Sequence, residues 1–218
     1  AASVFNRPAV FSKSLFGGVA RFAGVVTKQS AMFSGTRFAS AADFSGASFT
    51  QFADFGEAHF AQAANFSGAS FIALPRTSYE MDFPQYANFG NAAFAQDADF
   101  SKATFTASVG FGGVTFAREV SFNGVSFEGA YFEDVTFGRD ADFTCSTFNH
   151  NASFDHATFN ANAEFHEASF RGHADFRNAA FAADARFSGV AFGGNAGFCG
   201  ASFGGNASFF RTDFAGTT

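Results

Sequence analysis

Tryptophan is absent from this chain of 218 residues and leucine occurs only as Leu15 and Leu74, so the mixed aliphatic and aromatic core of an ordinary globular domain is excluded. No stretch approaches the roughly eighteen consecutive apolar residues of a membrane-spanning helix, because Ser, Gly, Asn, Asp or Thr follows every Phe within a few positions. A transmembrane segment is therefore not expected. Cysteine is limited to Cys145 and Cys199, 54 residues apart and at different places in the pattern set out below; both are expected to be free thiols, out of bonding reach of each other. Acidic residues are missing up to Phe38, a stretch that holds Arg7, Lys13, Arg21, Lys28 and Arg37, while the remainder carries all 19 acidic residues against 8 basic ones. Drift among solvated positions and docking of the basic end on an anionic surface both account for that split.

What is abundant is phenylalanine. Its 39 residues recur at intervals of five and six, so the true unit is eleven: Phe33, Phe38, Phe44, Phe49, Phe55, Phe60, Phe66 and Phe71, then Phe83 to Phe127, then Phe137 to Phe214. A fixed period along a chain means stacked identical layers, and a core of one side-chain type means one repeated environment. No stretch departs from the repeat for long enough to form a second domain, so residues 1–218 read as one elongated solenoid domain with an irregular insertion near 72–86.

Two residues before nearly every Phe stands Ala or Val, as in Ala42, Ala47, Ala98, Val109 and Ala163. In an extended segment residues i and i−2 share a side, so the small residue and the Phe face inward while the residue between them faces water. That intervening residue is polar in Asp43, Asp54, Asn65, Asn88, Asp99, Asp142, Glu164 and Asp175. Corners follow at Ser45-Gly46, Ser67-Gly68, Gly112-Gly113, Asn123-Gly124, Glu128-Gly129, Ser188-Gly189 and Cys199-Gly200, where glycine tolerates the positive φ of tight turns. A helix is excluded, since this spacing would scatter Phe around a 3.6-residue cylinder and each Gly would cost about 1 kcal/mol relative to Ala.

Segments such as ADFSGASF (Ala42 to Phe49) and ANFSGASF (Ala64 to Phe71) resemble the pentapeptide repeat family, and the resemblance runs from Ala9 to Phe214. It implies an all-β fold, a right-handed quadrilateral β-helix (β-solenoid) with four units and about 22 residues per coil, the central residue of each unit pointing inward. The chain departs from the common family pattern in having Phe instead of Leu at the centre and a sixth residue in every second unit. With the 209 residues from Phe5 to Phe214 making about nine and a half coils, at roughly 4.8 Å per layer the rod is expected to be near 45 Å long. Phe44, Phe49, Phe100, Phe105, Phe116, Phe154, Phe176 and Phe198 are expected to form its stacked core ladder.

The sixth residue falls three places before Phe, for instance at Asp97, Asp140, His173 and Asn195. Four units per coil put these residues on two opposite sides as regular bulges, giving one column with Asn151, His173 and Asn195 and another with Asn162, Asp184 and Asn206. Such columns either hold the bulge together or form a polar ledge for ice, sugar or cation; the flat row of Thr expected of an ice-binding face is not found.

Three interruptions stand out. Thr27 replaces a Phe, the step from Phe71 to Phe83 is 12 instead of 11, and Phe127, Phe132 and Phe137 run five and five. Pro75 and Pro84 cannot donate to a ladder and are expected to bracket a loop. Its apolar residues Ile72, Leu74, Tyr79, Met81 and Tyr86 either fold back on the solenoid wall or form a partner contact, and Phe209, Phe210 and Phe214 near the C-terminus are further contact candidates. Phe52, like Phe210, lies off the Phe ruler and is a weaker candidate.

No catalytic constellation is expected. His59, His150, His156, His166 and His173 sit at different phases of the repeat without spacing that would converge on a metal, and no Ser, His and Asp group as a triad. A Phe-filled core leaves no pocket, and glycines set by the repeat do not make a phosphate loop. The expectation is a non-enzyme without cofactor or metal: a structural or scaffolding protein acting through protein contacts. Repeat residues begin by Phe5 and run out through NASFFRTDFAGTT, so solenoid ends without caps are expected to be covered by a second copy, end to end, or by a larger assembly. The resemblance implies an alternative, since some pentapeptide repeat proteins mimic B-form DNA and protect DNA gyrase and related topoisomerases from inhibitors. Outward Asp43, Asp54, Asp99, Asp142, Glu164 and Asp175 would then imitate phosphates, while the basic first 38 residues and the modest net charge oppose it. Direct nucleic-acid binding is not expected. The start at Ala1-Ala2-Ser3 without Met reads either as the product of cleavage in an exported or organellar protein or as a trimmed chain.

Overall fold

Every unit of five or six residues contributes one short strand, and the strands repeat in fours. The structure is a computed structural model that describes residues 3–72 and 85–216. In chain order the four places are face A, beginning with Val4–Phe5, face B with Ala9–Val10, face C with Leu15–Phe16 and face D with Ala20–Arg21. The next strand, Val26–Thr27, returns to face A and pairs in parallel with the first, Val26 opposite Val4 and Thr27 opposite Phe5. Four parallel sheets result among the described residues, with ten strands on face A and nine on each of the others. Because partners are offset by 22 residues, as in Ala20, Ala42 and Ala64 on face D, the chain is a four-sided parallel β-solenoid of about nine coils.

A two-residue strand cannot hold by itself, and the corners show how the backbone is kept paired. Around Phe44 the N–H of Phe44 donates to Asn65 O of the next coil (2.7 Å), Gly46 N–H to Ser67 O (2.8 Å), Ala47 N–H back to Phe44 O (3.0 Å) and Ser48 N–H to Val25 O (2.7 Å). Ser45 N–H, which the ladder leaves over, donates to Asp43 Oδ1 at 3.0 Å. The polar residue between the small residue and the Phe is thus an Asx cap on the turn, and it recurs at Asp54, Asn65, Asn88, Asp99, Asp142 and Asp175.

Corners after faces B and D carry a left-handed residue at the third turn position, as in type II turns. Glycine fills it at Gly46 (φ 59°), yet Lys13, Glu57, Lys102, Cys145 and Arg211 adopt the same geometry. The ladder holds these residues in a conformation that costs an isolated L-residue about 1–2 kcal/mol. Of the corners read from sequence, Glu128-Gly129 is not of this kind. It follows face A, where the coil has lost its sixth residue, and the strand offset falls to 21 there, as between Val109 and Ala130.

The core is four columns of rings. Along each column rings lie almost parallel, as in Phe66 on Phe100 (4.9 Å, 2°) and Phe111 on Phe132 (4.8 Å, 1°). Columns B and D meet across the middle and interlock at right angles, as in Phe55 against Phe66 (5.2 Å, 90°) and Phe143 against Phe154 (5.4 Å, 87°). Columns A and C flank this zipper. Edge-to-face contact between columns and offset stacking within them are the two favoured geometries for aromatic pairs, and a Phe core satisfies both at once. Ala and Val two places earlier are buried beside the rings, where a larger side chain would collide.

Between Phe71 and Phe89 the register jumps. His59 is opposite Ala93 and Ser70 opposite Thr104, offsets of 34 in place of 22, so twelve extra residues enter at this corner and the solenoid then resumes in register. Phe89 takes the face B place that follows Phe71, which corrects the one-residue excess read at Phe83. The 12-residue step to Phe83 does not fit the eleven-residue unit, whereas the 18-residue step to Phe89 is the ordinary six plus the twelve inserted. Phe83, Pro75 and Pro84 lie outside the described residues.

Candidate functional site

Corners with a sixth residue bring side chains of successive coils into file. Along the corner from face A to face B, Asn151 Oδ1 accepts from His173 N–H and His173 Nδ1 from Asn195 N–H, each at 3.0 Å. Along the corner from face C to face D, Asp140 Oδ1 accepts from Asn162 N–H and Asp184 Oδ1 from Asn206 N–H, again at 3.0 Å. Asn151, His173, Asp140 and Asp184 thus each cap the N–H of their counterpart one coil on and hold the bulges of successive coils together. Phe52 occupies the same column as Asn151 and is half-buried, which explains its place off the ruler.

The corner between faces C and D is also where acidic residues gather. Asp97, Glu119 and Asp140 succeed one another along it, and Asp99 and Asp142 stand beside them on face D. All five line one shallow groove with Asn65 and Ser121, and Arg118 and Arg139 lie at its margin. Two of the acids are positioned by the backbone, Asp99 accepting from Ser101 N–H (2.8 Å) and Asp142 from Thr144 N–H (2.8 Å). Asp99 and Asp142 are therefore half-buried turn caps with one oxygen committed inward, unlike free phosphate oxygens, while Asp97, Glu119 and Asp140 are exposed. Towards the C-terminus the charge is neutralised: Arg186 bridges Glu164 and Asp184 (2.9 Å to Asp184), and Arg177 pairs with Asp175 at 2.7 Å. The Asn206 N–H, helped by Arg186, holds the Asp184 carboxyl below its ordinary range. Burial works to raise the Asp175 carboxyl, but the hydrogen bonds and charge of Arg177 outweigh it and bring that group down as well.

Other candidates are placed as follows. Phe44, Phe49, Phe100, Phe105, Phe116, Phe154 and Phe176 are buried column members, and Phe198 is half-buried in the final place of column B, stacked on Phe176 at 5.0 Å. Phe209 and Phe214 are themselves column members, stacked on Phe187 and Phe192 at 5.0 Å, and keep 37 % exposure in the last coil. Phe210 points outward at 67 % exposure, with the Arg211 guanidinium 5.1 Å from its ring. Ile72 is half-buried, its N–H donating to Phe49 O (2.8 Å). Tyr86 lies in the face B strand Gln85–Asn88, while Leu74, Tyr79 and Met81 fall outside the described residues. Sequence reading did not single out Val4, Val10, Leu15 and Val19, exposed apolar residues of the first coil that share this end with Arg7, Lys13, Arg21, Lys28 and Arg37.

His150, His156 and His166 each pair with a neighbouring carboxylate, of Glu128 (3.0 Å), Asp155 (3.0 Å) and Glu167 (3.5 Å). Among the described residues no three His, Cys, Asp or Glu side chains form a metal-binding group, and both cysteines are free and exposed. Partial desolvation and the Glu167 carboxylate push the Cys145 thiol up, away from the reactive thiolate. No helix among the described residues is long and apolar enough to cross a membrane.

The family model described as "Pentapeptide repeats (9 copies)" matches residues 79–126, 100–147, 122–169 and 146–191, together just over half of the chain. The chain belongs to the pentapeptide repeat family. Among solved structures it is similar to HetL, a pentapeptide repeat protein involved in heterocyst differentiation regulation from the cyanobacterium Nostoc sp. strain PCC 7120, with 18% identity over 94% of this chain and 91% of that one (TM-score 0.36). It is also similar to trypsin-treated QnrB1, a plasmid-mediated fluoroquinolone resistance protein, with 17% identity over 97% of this chain and 91% of that one (TM-score 0.31). A comparison with curated proteins finds no match. Within the family pattern, Phe at the centre and eleven-residue double units are what give this member its four ring columns and two capped corner files.

Proposed function

We propose that this pentapeptide repeat protein is a non-enzymatic scaffold that acts through protein contact, with the acidic groove between faces C and D receiving a basic partner surface. The observation that carries this reading is the convergence of Asp97, Asp99, Glu119, Asp140 and Asp142 from three successive coils on one groove. Asp99, Asp140 and Asp142, held by backbone N–H groups, present their charge with little ordering cost at binding, and a patch of one sign speeds encounter with the other. Arg118 and Arg139 at the margin favour a partner whose cations are spaced to fall between them.

The test replaces all five acids by their amides. Asn at 99, 140 and 142 keeps the Oδ1 acceptor that caps the backbone, so the charge changes while the fold does not. Crosslinking and mass spectrometry in native extract should map partner lysines or arginines to this groove in the wild type and lose those crosslinks in the amide variant. Crosslinks that persist, or that lie on faces A and B, would refute the assignment.

A second reading takes the same file of carboxylates as a substitute for duplex phosphates at a topoisomerase. The regular file along the corner is the observation behind it, but at one carboxylate per coil, or about one per 4.8 Å, it is sparser than the one charge per about 1.7 Å of a duplex, which ranks this reading second. Assaying gyrase supercoiling with and without the protein, in the presence and absence of a gyrase inhibitor, distinguishes the two, since a scaffold leaves the enzyme unchanged.

A further inference from the structure

The carboxylates gather where faces C and D meet, and face B, across the coil from face D, carries the opposite charge in its first two coils. Its outward places there are taken by Val10 and Met32, opposite each other in the parallel sheet. Val10 is 66 % exposed and Met32 half-buried. Arg7 and Lys28 stand exposed at the corner from face A to face B, and Lys13 at the corner from face B to face C. Lys13 is held in the left-handed geometry (φ 59°) and lies along Gly35 of the next coil, where a Cβ would stand 3.4 Å from Lys13 Cγ. Acids enter only in the third coil, with Asp54 and Glu57, and Asp54 Oδ1 already accepts from Gly56 N–H and Asn88 Nδ2, each at 3.0 Å. An apolar centre with charged margins is the anatomy of a contact surface.

The groove supplies what this surface lacks. Its five carboxylates, less Arg118 and Arg139 at the margin, leave a balance of three negative charges, and face B brings three positive ones. Both surfaces are built on the same coil, so charges along each succeed one another in steps of about 4.8 Å. Arg7 and Lys28 belong to adjacent coils, as do Asp97, Glu119 and Asp140 in turn. An anionic bilayer would attract the same cations, but its headgroups have no fixed repeat, and the match in number and spacing favours the groove.

We infer that the basic surface received by the groove is face B of a second copy of this chain, an inference that rests on the reading of the groove proposed above. Faces B and D are opposite sides of a four-sided coil, so a copy cannot fill its own groove, and two copies cannot exchange both contacts at once. The contact is heterologous, and copies join side by side in an open series.

Sedimentation velocity of the full chain over a concentration series tests this. Wild type should pass beyond dimers as concentration rises at about 0.1 M salt and return towards monomers at about 1 M, where the screening length falls from about 10 to about 3 Å. Arg7→Gln, Lys13→Gln and Lys28→Gln together remove the cations, and the amide variant of the groove removes the carboxylates. Each variant, matched to wild type by circular dichroism, should stay monomeric alone. Mixed in equal amounts they should form one-to-one dimers and nothing larger, because one retains only the groove and the other only face B. The inference is overturned by a wild type that stays monomeric or closes at two copies, by either variant associating as wild type does, or by a mixture that stays monomeric. A monomeric wild type that binds vesicles of phosphatidylserine and phosphatidylcholine, with binding lost in the cation variant, would assign face B to anionic lipid instead. Groove crosslinks to another protein in native extract, with a monomeric wild type, would remove this inference and leave the groove reading standing; no groove crosslinks and no association would remove both.

Discussion

Replacing one central ring tests how the core is built. Phe154 in column B lies between Phe132 and Phe176 at 4.9 and 4.8 Å, both at 6°, and edge-on to Phe143, Phe165 and Phe148 at 5.4, 5.5 and 6.0 Å. Phe170 in column A is stacked as closely, on Phe148 and Phe192 at 4.4 and 5.1 Å, but among the described residues its one edge-on partner is Phe176 at 5.9 Å. Both side chains are fully buried, so truncation to alanine removes the same transfer energy from each. A buried Phe→Ala change costs about 3–5 kcal/mol, and each well-oriented aromatic pair adds about 0.5–1.5 kcal/mol. Phe154→Ala, with two more edge-on pairs to lose, should therefore sit near the top of that range and Phe170→Ala near the bottom, about 2 kcal/mol apart. Guanidinium denaturation of the two variants, with the slope compared to wild type to verify that the same surface unfolds, measures the difference. Equal costs, the reverse order, or a loss below about 2 kcal/mol for Phe154→Ala would refute the interlocked zipper as the main source of stability.

Further outcomes follow from the corners. In Gly172→Ala the new Cβ would stand 2.5 Å from the His150 carbonyl carbon and 2.8 Å from Asn151 N, so adjacent coils must part, and thermal melts should register a loss of about 2 kcal/mol or more. Gly46→Asn, at φ 59° with open space around it, should stay within about 1 kcal/mol of wild type, because Asn91 and Asn178 already hold that geometry. The depressed Asp184 carboxyl contributes stability that is complete above its unfolded value of 3.8 and is lost as pH falls through the lower folded value. Melts below pH about 5 should therefore decline less steeply in Asp184→Asn, which keeps the acceptor for Asn206 N–H. Cys145 should alkylate slowly near pH 8, and Glu167→Gln should speed it by removing the carboxylate that holds the thiol protonated; an unchanged rate would deny that cause.

The sequence by itself determined the inward Phe, the small residue two places before it, the coil of about 22 residues and the two corner files. All four depend on strand alternation and on a repeat that places like above like, and both are visible in one dimension. Asn151, His173 and Asn195 could be aligned by counting because neighbours across coils differ by a constant offset. Counting stopped at Phe83, because twelve extra residues are one more than the eleven-residue unit, and it could not tell which of Phe154 and Phe170, each the central residue of its unit, meets more rings.

Only the tertiary structure decided which columns meet. A period relates residue i to its counterpart one coil on, whereas the contact of column B with column D depends on how four sides close and how rings turn to fit. The same closure brought Asp97 and Asp99 together with Glu119, Asp140 and Asp142 in one groove, committed the outward Asp side chains to capping turns, and enclosed the Thr27 hydroxyl without a partner. These are lateral relations within and between layers, set by packing in three dimensions, and the spacing of residues along the chain does not encode them.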